Sequence, residues 1–98
     1  MFQENNQEGN KPSFEMTIQD IFTLSNDKLV ATGMIREGKI SEGNAVKIRT
    51  ENGDLNATVS KIEVFRKQLN TATAGENVAL MLEGIEKDQL KIGYIIYK

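Results

Sequence analysis

The side chains best suited to chemistry fall in one stretch, Ser60 to Ile85 (SKIEVFRKQLNTATAGENVALMLEGI), where Glu63, Arg66, Lys67, Glu76 and Asn77 cluster between two apolar alternations. This stretch is the candidate for whatever surface the protein presents to a partner. It suits catalysis poorly. Histidine, cysteine and tryptophan are absent, which removes imidazole acid–base schemes, thiolate nucleophiles, disulfides and Cys/His zinc sites together. Asp20 and Glu63 could be nominated as paired carboxylates, but without a base or a cluster of metal ligands they read as solvated acids. No catalytic residue, cofactor or metal ligand is expected. Gly33 to Lys39 (GMIREGK) fits the opening of a phosphate-cradling loop, yet Ile40 stands where the magnesium-binding hydroxyl belongs, and the pattern runs strand, turn, strand rather than into a helix N-terminus. It is a chance match. Asn56-Ala57-Thr58 is a glycosylation sequon with no secretory signal to give it meaning.

A chain of 98 residues makes one domain with a modest core. The net charge of −2, with both signs interspersed, leaves no basic footprint for neutralising a run of phosphates. Any nucleic-acid contact must be local, and DNA is not an expected partner. The apolar runs are far short of a membrane span and the N-terminus is polar, so a cytoplasmic, monomeric chain is expected. Residues 1–13 (MFQENNQEGNKPS) are too polar to bury and read as a disordered tail, leaving 14–98 as the folded domain. The initiating Met and this tail suit a short independent product better than an excised fragment.

From Phe14 onward the period is two. Phe14, Met16 and Ile18 alternate with polar neighbours, and then Asp20 falls on the inward phase, a slip of the kind a β-bulge makes, which turns Phe22 outward. Ser25 to Lys28 is turn chemistry, Leu29 to Arg36 a strand, and Glu37-Gly38 with Glu42-Gly43-Asn44 brackets a short connection around Ile40. Ala31 and Gly33 mark a close approach of another backbone. Val46 and Ile48 belong to a strand ending at the hairpin signal Asn52-Gly53, and the return strand changes phase near Ser60-Lys61. A long functional loop then leads to the strand of Val78, Leu80 and Leu82, a single turn over Glu86 to Leu90, and a last strand in Gly93 to Tyr97. The pattern predicts an all-β chain of six short strands closed, or nearly closed, into an antiparallel barrel.

Five blocks in order, Thr17-Ile18-Gln19-Asp20-Ile21-Phe22, Ala31-Thr32-Gly33, Ile62-Glu63-Val64-Phe65-Arg66-Lys67, Ala74-Gly75-Glu76-Asn77-Val78 and Leu82-Glu83-Gly84-Ile85, resemble the second domain of elongation factor Tu and related translational GTPases. The resemblance runs from Phe14 to Tyr97. It implies a six-stranded antiparallel β-barrel of Greek-key type and a non-catalytic role, holding the aminoacylated 3′ end of transfer RNA against a GTPase domain. By position it places Gln19, Asp20, Phe22, Thr32 and Asn77 around the aminoacyl group. Leu24, Val30, Glu63, Arg66 and Met81 line a pocket for the terminal adenosine, with Glu63 accepting from a ribose hydroxyl. Four departures stand out. Gln19 replaces an acidic residue, Asn26-Asp27-Lys28 a Gly-rich turn, and Met34 and Glu83 basic residues. The GTPase domain, which would supply the other half of the aminoacyl pocket and all GTP chemistry, is not among these residues. Two readings follow: a module for transfer-RNA or other RNA ends, or a protein-docking module for a translational GTPase, a ribosomal protein or a second copy. Ordinary alternatives stand beside each residue: Phe22 and Phe65 as core filling, Glu63, Arg66 and Lys67 as a solvated face, and Asn77 as a partner for turn backbone.

Overall fold

The computed structural model describes residues 12–98, so all but the last two residues of the tail expected at residues 1–13 lie outside the described residues. Nine strand segments are present: β1 (Phe14–Thr17), β2 (Asp20–Thr23), β3 (Leu29–Ser41), β4 (Ala45–Thr50), β5 (Gly53–Val64), β6 (Lys67–Leu69), β7 (Thr71–Thr73), β8 (Asn77–Glu83) and β9 (Ile95–Tyr97). Six of them close a ring in the order β1-β9-β4-β5-β8-β3, with β3 returning to β1, and every pairing is antiparallel. Closure removes the free edges that such apolar strands would otherwise expose. The expected six-stranded barrel is therefore what forms, with β2, β6 and β7 added to it as short flaps on β3 and β5.

The period-two residues fill the barrel. Phe14, Met16, Ile35, Ile40, Ile48, Val59, Ile62, Leu80 and Ile96 are each fully buried in one cluster, and no polar or charged residue among those described is buried. Gly33 is where two backbones meet, as its size predicts, since a Cβ there would collide with the carbonyl oxygen of Thr17. Ser13 joins the two ends of the folded part, its amide donating to the Lys98 carbonyl at 2.7 Å and its own carbonyl accepting from Lys39 at 3.0 Å.

Four details depart from the sequence reading. The alternation breaks at Gln19 because the chain changes neighbours, not because it bulges: Ile18 donates to Tyr94 at 2.8 Å, then Gln19 donates to Thr32 at 2.7 Å. The irregularity lies earlier, where the β1–β3 register shifts between Glu15 and Met16. Glu37-Gly38 makes no connection. Gly38, at φ 71°, absorbs a distortion inside one long strand, and Ile40 is a core residue of that strand. The β4–β5 turn falls on Glu51 and Asn52, since Thr50 already pairs with Gly53.

The largest departure is the expected loop after Val64. It folds into two further strands, β6 returning on β5 through Val64↔Lys67 and Ile62↔Leu69, and β7 pairing the far half of β3 through Ile40↔Ala72. Ala72 between two threonines is a period-two signal too short to stand out. The second phase change is where it was expected. The β5–β8 register shifts between Val59 and Lys61, and the hydroxyl of Ser60 donates to the Met81 carbonyl at 3.2 Å.

Candidate ligand-binding face

Register alone assembles the site. On the outer face of the flare formed by β2, β3, β8, β5 and β6, Phe22 lies opposite Val30, Val30 opposite Met81, and Met81 opposite Lys61. The next row is Asp20, Thr32, Ala79, Glu63 and Gln68, and the one after it pairs Met34 with Asn77. Because strands alternate faces, every residue in these rows points away from the core.

This outer face carries apolar surface. Val30 is only 4% exposed yet lies outside the main core cluster, so it is covered from the solvent side. Phe22, Leu24, Lys61, Ala79 and Met81 cover it and, with Glu63, line a shallow hollow of about 70 Å³. That is room for the face of one planar group. Beside it a broader depression of about 280 Å³ with a mixed lining brings the polar Gln19, Thr32, Glu63, Arg66 and Asn77 together with Gly33, Phe65, Val78 and Ala79. Glu63 and Ala79 belong to both, so they form the boundary between the two hollows, and Glu63 is the charged member of that boundary.

Of the residues singled out from sequence, Phe22, Glu63 and Met81 line the hollow, together with Leu24 and Val30. Gln19, Thr32, Arg66 and Asn77 line the depression, which places Arg66 beside the pocket the resemblance assigned to it rather than in it. Asp20 shares their face but lines neither, and its carboxylate accepts from the Ile21 amide at 2.9 Å. Phe22 is 41% exposed and packs outside the core.

Two residues of this surface escaped the sequence reading. Lys61 is two residues before Glu63 on the same strand, so period two already placed it on this face. Phe65, read as a core filler, is 89% exposed. Ile62 and Val64 point inward, and Phe65 falls just after the strand, in the turn to β6, where its ring stands in solvent.

The charges here are free. Among the described residues the ion pairs are Lys28–Glu83 at 3.4 Å, Arg36–Glu15 at 3.7 Å and Lys91–Glu51 at 3.1 Å, and none uses Asp20, Lys61, Glu63 or Arg66. Across the barrel the polar groups are tied to one another. The Tyr94 hydroxyl donates to Glu51, and this bond, with a backbone hydrogen bond and Lys91, holds the Glu51 carboxyl down at about 2. Tyr97 donates to Asp54 at 2.6 Å while the Arg49 guanidinium sits 4.7 Å from the centre of its ring. Among the described residues no group of His, Cys, Asp and Glu is arranged to hold a metal ion, and no helix is long and apolar enough to cross a membrane.

Comparison with known proteins agrees with the architecture. The family model for elongation factor Tu domain 2 matches residues 29–97, a span that includes β3 to β9 but leaves Gln19, Asp20 and Phe22 outside it. Translation elongation factor SelB from Methanococcus maripaludis, solved in its apo form, superposes with a TM-score of 0.78 at 25% identity over 87% of this chain. The chain spans 18% of that protein's length. With the matched residues covering most of a closed six-stranded barrel, the chain belongs to the elongation factor Tu domain 2 family.

Proposed function

We propose that this barrel is a non-catalytic binding module, working in the cytoplasm, that takes the aminoacylated 3′ end of transfer RNA or a similar single-stranded RNA end. One observation carries the reading: Glu63, which enters no ion pair, lines both an apolar hollow and the adjoining depression that carries Gln19, Thr32, Arg66 and Asn77. A nucleoside needs both, a flat apolar seat for its base and a hydrogen-bond acceptor for its ribose hydroxyls. Phe22, Leu24, Val30 and Met81 supply the seat, and Glu63 supplies the acceptor. Gln19, Thr32 and Asn77 then offer donors and acceptors to an aminoacyl group.

The acidic balance of the chain fits a contact confined to one RNA end, because an extended phosphate contact would need clustered cations. The test is a titration of isotope-labelled protein with an aminoacylated, CCA-ended RNA at low salt. Amide signals of Phe22, Glu63, Asn77 and Met81 are expected to shift, and signals that stay put would overturn the reading. The same acidic balance favours a second reading, docking on a translational GTPase or a ribosomal protein. In that case the titration is silent and a pull-down with purified candidate proteins retains one of them.

A further inference from the structure

The turn between β5 and β6 is built against its own backbone preferences. Val64 pairs with Lys67, so Phe65 and Arg66 alone make the two-residue turn, and both have positive φ, 53° and 67°. A two-residue hairpin with both central residues in that region is the type that strongly favours Asn-Gly, since side chains beyond Asn and Asp rarely adopt it. Here one of the two is a phenylalanine that is 89% exposed. Neither burial nor turn chemistry explains it, and strained positions of this kind gather at ligand clamps.

Its place supplies the explanation. Lys61 and Glu63 stand two apart on β5, a step of roughly 7 Å, and Phe65 follows in the turn directly after the strand. Phe65 and Arg66 both line the depression that adjoins the apolar hollow at Glu63. A strand of RNA whose last base lies in the hollow therefore has an open aromatic ring one step away, beside an unpaired guanidinium for the intervening phosphate.

We propose that Phe65 is a stacking platform for the base preceding the terminal one, with Arg66 contacting the phosphate between them. The proposal rests on the RNA-end reading and extends it by one nucleotide. Base stacking on an aromatic ring is sequence-tolerant, so this subsite would accept any base.

The probes are adenosine monophosphate and the single-stranded trinucleotide CCA, their affinities compared on the same labelled protein. The trinucleotide is expected to bind roughly 5-fold or more tighter than the mononucleotide, the increment of one stacked base. Phe65→Asn removes the ring and places at this turn a residue that tolerates positive φ, so its melting temperature is expected to hold or rise. It should abolish the increment and leave the mononucleotide affinity unchanged, while Phe65→Trp keeps the increment. That excess should also persist in high salt, whereas the Arg66 contribution, removed by Arg66→Gln, fades with salt.

An increment that survives Phe65→Asn overturns the platform and points the ring toward a protein partner. Equal binding of the two probes by the wild-type chain overturns it as well, while leaving the nucleoside pocket standing. Failure of both probes to bind overturns the pocket and the platform together.

Discussion

The two outer faces of this barrel share one core and use their polar groups in opposite ways. Around β4, β9 and the turn after β4, charges and hydroxyls satisfy one another: Glu51 with Tyr94 and Lys91, Asp54 with Tyr97, and Arg49 over the Tyr97 ring. On the flare of β2, β3, β8 and β5, Lys61, Glu63 and Arg66 enter no ion pair, and the aromatic and aliphatic side chains beside them lie open. Both sets are exposed, so neither adds much to stability. The difference lies in availability: a face whose polar groups are already partnered has little to offer a ligand, and one whose groups are free does.

The largest effect should come from what the faces have in common. Ile62 lies under the free face and Ile48 under the paired one, both fully buried in the same cluster. Truncating either to alanine is expected to cost about 2–5 kcal/mol in denaturant unfolding. Each should unfold the whole barrel in one transition, and two separate transitions would show that the faces belong to different units. Next in size is binding. Glu63→Gln is expected to abolish the RNA-end shifts while moving stability by no more than about 0.5 kcal/mol, and a Glu63→Gln protein that binds as the parent does would place the site elsewhere.

Acid sharpens the contrast further. Because folding lowers the Glu51 pKa to about 2, chiefly through the Tyr94 hydrogen bond, its stabilising contribution is complete above the ordinary carboxylate range near 4.5 and fades as pH falls toward 2. Glu51→Gln should lower the unfolding midpoint at pH 7, with a smaller deficit at pH 3 and most of the effect gone only near pH 2. An equal deficit at all three pH values would dissociate the carboxylate from the clasp. The smallest effect is expected at Lys28–Glu83, whose partners are half exposed: Lys28→Ala should change stability by about 0–1 kcal/mol. Any such change should shrink in salt.

Sequence made most of this legible because the strands alternate so cleanly. Phe14, Met16, Ile18, Val46, Ile48, Ile62, Val78 and Leu80 declare the core by period two alone. The Ser60 bulge is readable as well, because Val59 and Ile62 are both inward and three apart. The flaps β6 and β7 were hidden: three residues each, mostly polar, they form because β5 and β3 extend beyond the ring and offer free backbone to pair with. The site was half legible. Family resemblance supplied Glu63 and Asn77, and alternation already pointed Lys61 outward, but the turn that exposes Phe65 and the burial of Val30 on the outer face depend on pairing and packing that no local pattern encodes.

The hydrogen bond between the Ser13 amide and the Lys98 carbonyl has a topological corollary. Ser13 and Lys98 meet at one spot on the surface of the barrel, so its two ends lie together as those of a cassette do. Such an arrangement lets a domain be spliced into a surface loop of another protein, or have its own ends fused and reopened elsewhere, without stretching the sheet. Joining residues 12 and 98 by a short Gly-Ser linker and opening the chain at the Ser25–Lys28 turn would keep every ladder of the ring intact.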